Sequence, residues 1–303
     1  MAWTGLRDLA LLVVPGTIWG ASFLFIAEGL DAMAPFGVTF TRLLIGFLTL
    51  SLVPAARRPL APGDGWPTAL LSVIWLAFPL SLFPFAEQRV SSAIAGMLNG
   101  STPIIAAIVA GVVARAWPDR AAVTGLTVGV AGIVLMAIPS IDGASSGLGI
   151  AMVVVAVCAY GVSINLARPL QQRSGALPVV WRTLGVAMLL TAPLGLPALL
   201  DARWTARSLV SMLALGAFGT AIANVLMTIA AGRLGATRAS ATLFLMPVVA
   251  LILGVGVRGE RVAALSVAGA AVCLAGAWLI RPRPAQVAAA TTPVTGCPEP
   301  AGR

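Results

Sequence analysis

Residues 91–114 read SSAIAGMLNGSTPIIAAIVAGVVA, a run without a charged residue in which a lone proline, Pro103, follows Asn99-Gly-Ser-Thr. A helix that crosses a bilayer needs about 20 largely apolar residues, and this run supplies them. It lacks the period-2 alternation of a membrane barrel strand. Nine more runs of the same kind lie around it, at about 9–29, 35–54, 68–87, 121–139, 147–167, 178–200, 208–230, 236–258 and 262–280. Short segments carrying Arg, Asp, Pro or Gly separate them. The first run is too long for a signal peptide and lacks a small-x-small cleavage site, so it reads as a retained span.

Composition agrees. Of 303 residues, 59% are hydrophobic and 10% charged, with a mean hydropathy of +1.00. A water-soluble domain carries about 25% charged residues, so a soluble globule is excluded, as is a disordered chain. All 19 basic residues are Arg, and there is no His. The Arg are scattered between apolar runs, which argues against a nucleic-acid surface. Cys158, Cys273 and Cys297 form no Cys-x-x-Cys pair, so no metal site or disulfide framework is expected. Residues 1–8 form a short leading segment, and 284–303, rich in Ala, Thr and Pro, read as a disordered tail.

Ten spans place both termini on one side. Twelve Arg fall on that side and five on the other, while Arg42 and Arg182 lie inside spans. The positive-inside bias predicts a multi-pass protein of the inner (cytoplasmic) membrane with both termini cytoplasmic.

A shift of 144 positions lays Arg89 on Arg233, Pro103 on Pro247, Gly125 on Gly269 and Gly132 on Gly276. In the earlier spans a shift near 140 brings Trp19-Gly20 close to Tyr160-Gly161 and Arg42 onto Arg182. The expected fold is all-α: ten transmembrane helices as two inverted five-helix repeats, residues 9–140 and 141–283. An odd number of spans per unit makes the second unit enter from the opposite side, an architecture that recurs in secondary transporters.

Here the chain resembles the EamA-type branch of the drug/metabolite transporter superfamily over about residues 9–282. The residues that carry the likeness are Ile18-Trp19-Gly20-Ala-Ser22, Arg42, the Ala95 to Pro103 pattern with its counterpart Ala239 to Pro247, Gly259-Glu260-Arg261, and a Gly-spaced last span. The chain departs from the family after the fourth span, where Arg115-Ala-Trp-Pro-Asp119-Arg120 stands in place of a second Gly-Glu-Arg motif. The resemblance implies export of amino acids, related metabolites or drugs.

Polar groups inside a bilayer are costly unless satisfied. Trp19, Ser22, Trp75, Asn99, Ser101, Thr102, Tyr160, Asn165 and Asn224 are therefore the candidate substrate-binding residues. Each has a plainer reading: hydroxyls bonding their own backbone, amides joining helices, or aromatics at the membrane interface. Pro103 and Pro247 should kink their helices and open carbonyls, at Asn99 and Leu243, to partners. Glu28, Arg42 and Arg182 are candidates for gating or coupling, the two Arg alternatively snorkelling to the interface. Gly125, Gly129 and Gly132 suit close helix packing.

The expected function is a secondary active transporter, exporting a small organic metabolite by alternating access. Its partners would be that small molecule and the lipid bilayer, with the chain a monomer or weak homodimer and no nucleic acid bound. No cofactor is expected, and the absence of Lys removes any phosphate-binding Gly-Lys loop. The alternatives are an accessory membrane subunit without transport of its own, or an intramembrane enzyme, for which no Ser–His, paired-Asp or His–metal constellation exists.

Overall fold

The computed structural model describes residues 6–115, 120–140, 144–234, 242–243 and 245–279. Every regular element among them is helical: α1 (Leu6–Leu30), α2 (Pro35–Ser51), α3 (Gly65–Leu71), α4 (Phe78–Glu87), α5 (Ser92–Asn99), α6 (Thr102–Ala114), α7 (Arg120–Ala137), α8 (Ala144–Ser174), α9 (Ala176–Leu200), α10 (Ala206–Ala214), α11 (Ala223–Leu234), α12 (Met246–Arg258) and α13 (Ala264–Leu279). Two wide π-helical segments link collinear helices: π1 (Ser72–Ala77) joins α3 to α4, and π2 (Leu215–Ile222) joins α10 to α11. The second begins 143 positions after the first. The tail expected at 284–303 lies outside the described residues, as does Asp119.

Among the described residues, six helical stretches are long and apolar enough to cross a membrane: Leu6–Leu30, Gly65–Glu87, Ser92–Val109, Ser146–Ser174, Ala176–Leu200 and Ala206–Met227. Four shorter apolar helices, Pro35–Ser51, Val123–Ala137, Met246–Arg258 and Ala264–Gly276, occupy four of the other expected runs. The outer surface is hydrocarbon: Leu194 is 59% exposed and Leu200 77%. Inside lie Thr39, Ser163, Thr183, Thr220 and Arg42. Charge and hydroxyl groups in the interior with Leu and Val outside suit lipid as the solvent, where backbone groups must be satisfied within helices.

The run that opened the reading is two helices. α5 stops at Asn99, the chain turns at Gly100-Ser101, and α6 restarts with Pro103 in its first turn, where a missing N–H costs nothing. Pro247 holds the same place in α12.

The halves pack like against like. α2 lies on α9, α5 on α12 and α7 on α13, while α1 crosses π2 with its flanking helices and α8 packs against α4 and π1. The α7–α13 seam is the tightest. A methyl at Gly132 would collide with the Cys273 backbone, and one at Gly276 with Gly129. The glycine spacing noted in the fifth run thus serves close packing against the tenth. At the α5–α12 seam, the Pro247 ring fills the space a side chain at Gly100 would need.

Candidate functional site

α1 carries Trp19 and Ser22 to the boundary between the halves, where π2 of the other half meets them. Trp19 Nε1 donates to the Gly219 carbonyl at 3.1 Å. A methyl at Gly219 would stand 2.7 Å from Ser22 Oγ, so glycine permits this approach. Ser22 donates to Ile18 O in its own helix (3.0 Å). The π geometry shifts the acceptor of the next residue: Thr220 Oγ1 donates five residues back to Leu215 O (3.0 Å). The same oxygen accepts from Arg42 Nε at 3.3 Å. π-turns recur at functional sites because they break the regular ladder.

Arg42 is 5% exposed. Among the described residues its Nε–Thr220 bond is its only hydrogen bond, so the Nη donors are unused. Tyr160 and Glu87 lie within electrostatic reach. Tyr160 stacks on Phe83 (ring centroids 5.9 Å apart, planes at 27°), and Phe83 meets Phe23 edge-on at 5.5 Å. An arginine with spare donors, a phenol and an indole thus gather from α1, α2, α8 and π2. They can hold a small molecule with an anionic or polar head against aromatic faces.

The remaining predicted residues, Asn224 apart, sit elsewhere. Thr102 Oγ1 donates to Asn99 O (2.7 Å), the carbonyl Pro103 leaves open, and Ser101 Oγ donates to Leu98 O (2.6 Å). The carbonyls at this break are therefore satisfied locally. Asn165 Nδ2 donates to Ala106 O (3.0 Å) and Gly161 O (2.9 Å), joining α8 to α6. Asn224 Nδ2 donates to Thr220 O (2.8 Å), one turn from the Arg42 contact. Trp75, in π1, packs against the core groups built on Leu43 and Leu71. Arg182 lies 5.3 Å over the Trp181 ring and donates to Pro178 O (3.3 Å) in its own helix. A cleft of about 340 Å³, lined by Arg7, Ala10, Leu11, Val14, Leu226 and Ile229, opens between α1 and α11 at the end of the bundle where the chain begins.

Both ends of the bundle carry ion pairs between the halves. At the end away from the chain's start, Glu28 accepts from Arg207 Nη2 (2.7 Å) and Arg258 Nη1 (2.8 Å), and Arg258 also reaches Asp31 (3.0 Å). There too, Gly259, with φ +65°, turns the chain out of α12. Glu260 then crowns α5, accepting from Ser92 N (3.0 Å), Ser92 Oγ (2.7 Å) and Ala93 N (2.9 Å). A carboxylate on a helix N-terminus meets unpaired N–H groups and the positive end of the dipole. At the starting end, Asp64 accepts from Arg173 Nη2 and Ser174 Oγ, both at 2.6 Å. These hydrogen bonds, Arg173 first and Ser174 next, hold Asp64 below the usual carboxylate range.

Sequence reasoning had Arg42 and Glu28 but not their partners. Thr220 was visible as a polar residue in an apolar run; its role depends on the π-turn. Asp64 and Arg173 carry no local signal, and Glu87 is legible in the sequence only as an acid at the outer end of the third run, where no proton carrier is expected.

The EamA-like transporter family model matches the chain twice, over residues 7–138 and 147–281. A protein of Streptantibioticus cattleyicolor named "Probable terminal-alkyne amino-acid exporter" is 27% identical over 277 residues, covering 90% of this chain and 92% of that one. An uncharacterized transporter of Bacillus subtilis, YdfC, is 25% identical over 264 residues, covering 86% of each. A crystal structure superposes with a TM-score of 0.63 at 17% identity, over 96% of this chain and 99% of the other, and speaks for the fold alone. Matched in both halves, the chain is a member of the EamA-like transporter family.

Proposed function

We propose that the chain is a ten-span secondary transporter that exports a small organic metabolite, an amino acid or a relative of one, by alternating access between two inverted halves. Its termini face the cytoplasm and its home is the inner membrane, in keeping with the Arg distribution. The observation that carries the reading is Arg42: a buried guanidinium tied to Thr220 of the opposite half, with no Nη hydrogen bond among the described residues and Tyr160 within reach. A site shared by the halves is remade when they rock, as the architecture requires. The relative's name points to amino acids, and Arg recognises carboxylates well because its donors form a rigid fork.

Counterflow tests this. Proteoliposomes loaded with unlabelled L-propargylglycine, a terminal-alkyne amino acid, should take up the labelled compound faster than empty vesicles. The Arg42→Gln variant should lose most of that uptake. No counterflow of L-propargylglycine, of any protein amino acid or of a lipophilic cation by correctly inserted protein would leave the accessory-subunit reading standing instead.

A further inference from the structure

Glu87 closes α4 one turn after Phe83, and the i, i+4 spacing puts the two on one face of that helix. Phe83 is the ring on which Tyr160 stacks. Both carboxylate oxygens of Glu87 are buried and meet no hydrogen-bond donor among the described residues. Its neighbours of the same type are engaged: Glu28 by Arg207 and Arg258, Glu260 by the first turn of α5.

The charged groups around it come from every side. α2 presents Arg42. α12 presents Arg258, already committed to Glu28 and Asp31. The segment after α12 presents Glu260, of like sign. α8 carries Tyr160, stacked on Phe83, and α1 carries Glu28, held by Arg207 and Arg258, while α5 carries no ionisable side chain. Two residues on, Arg89 Nη1 turns back to Phe85 O (2.6 Å). Among the described residues, Glu87 therefore sees Arg42, a cation in no ion pair, and Glu260 as the competing anion. A buried carboxylate without a donor is stable in two conditions: carrying a proton, or facing a cation.

We propose that Glu87 is the coupling carboxylate of this transporter, a site that holds a proton until the cationic group of a substrate takes its place. The exchange is balanced. The carboxyl O–H bond breaks and its proton passes to water on the open side, while an ammonium N–H of the substrate takes up the freed oxygens. One proton moves one way for each cationic group that moves the other. Arg42 stabilises the ionised form and Glu260 opposes it, which poises the carboxyl between the two conditions.

The exchange rests on the transporter reading above, but the proton site can be tested without it. Infrared spectra of the reconstituted protein at neutral pH should contain the C=O band of a protonated carboxyl. Glu87→Gln should remove that band and Glu87→Asp should displace it, so the aspartate variant decides the matter should the glutamine one not fold. A wild-type spectrum without the band, or a band untouched by either substitution, overturns the proposal. In transport, an imposed pH gradient should drive L-propargylglycine accumulation by the wild type, and Glu87→Gln should lose that accumulation. Undiminished accumulation by Glu87→Gln also overturns it. Failure of the wild type to move the compound counts against the transporter reading and leaves the infrared band to decide on Glu87.

Discussion

The two ends of the bundle carry one joint with its charges exchanged. At the starting end, an acid just before α3, Asp64, takes a base from the last turn of α8. At the far end, a base in the first turn of α10, Arg207, takes an acid from the last turns of α1. Asp64 and Arg207 stand 143 positions apart, the same offset as the starts of π1 and π2. Each joint ties the first span of one half to the third of the other. The far end holds more: Arg258 adds a second base to Glu28, and Glu260 fastens α5 to the segment after α12. Among the described residues, the starting end shows the Asp64 joint, the buried Asp8 and the cleft beside α1. A repeated fold thus carries one joint at both ends with its charges exchanged, and among the described residues the far end shares its acid between two bases.

Reversing the charge of the acid shared by two bases should do the most. Glu28→Lys faces a lysine with Arg207 and Arg258, and the loss should be about 3 kcal/mol, the scale for stripping a buried charge of its partner. Thermal unfolding in detergent measures it, and adding Arg207→Glu should restore part of the loss. No recovery in the double variant would mean that the joint does not depend on charge.

Glu260→Gln should cost about 1 kcal/mol, the usual scale of a lost helix cap. The destabilisation should appear as faster hydrogen exchange in the first turn of α5 and not in α6.

Asp64→Asn should have a smaller effect, because Arg173 is 57% exposed and salt screens the pair. Its sign with pH is fixed. A carboxylate held low when folded contributes its stability fully above its unfolded value, about 3.9, and loses it as the pH falls through the lower folded value. The gap between wild-type and Asp64→Asn melting temperatures should be constant from neutral to mildly acidic pH and close only in strong acid. A gap that grew as the pH fell would contradict this.

Smallest of all should be Arg182→Gln, within about 0.5 kcal/mol, as for ordinary surface changes. Equal transport loss in Arg182→Gln and Arg42→Gln would erase the difference drawn between the halves.

That difference marks what the sequence could and could not reveal. The apolar runs are legible because hydropathy is a local property, and Pro103 announces the α5–α6 break because a missing N–H acts within one turn. The match of Arg42 to Arg182 is legible by register, but their surroundings are not. Arg42 finds a hydroxyl at Thr220, whereas the residue 143 positions earlier is Ala77, which has no acceptor. The π-turns have no composition of their own, and they decide where Gly219 and Thr220 point. Asn165, a candidate ligand by chemistry, spends both amide N–H groups on backbone carbonyls, which only a neighbouring helix could reveal. Glu87 differs from Glu28 solely in lacking a partner, and partners come from distant sequence.

The proline ring in the first turn of α12 rests where Gly100 leaves a gap, so that turn seats against the break between α5 and α6. The seam is a latch cut without slack: a single methyl added at Gly100 would strike the Pro247 ring and jam it.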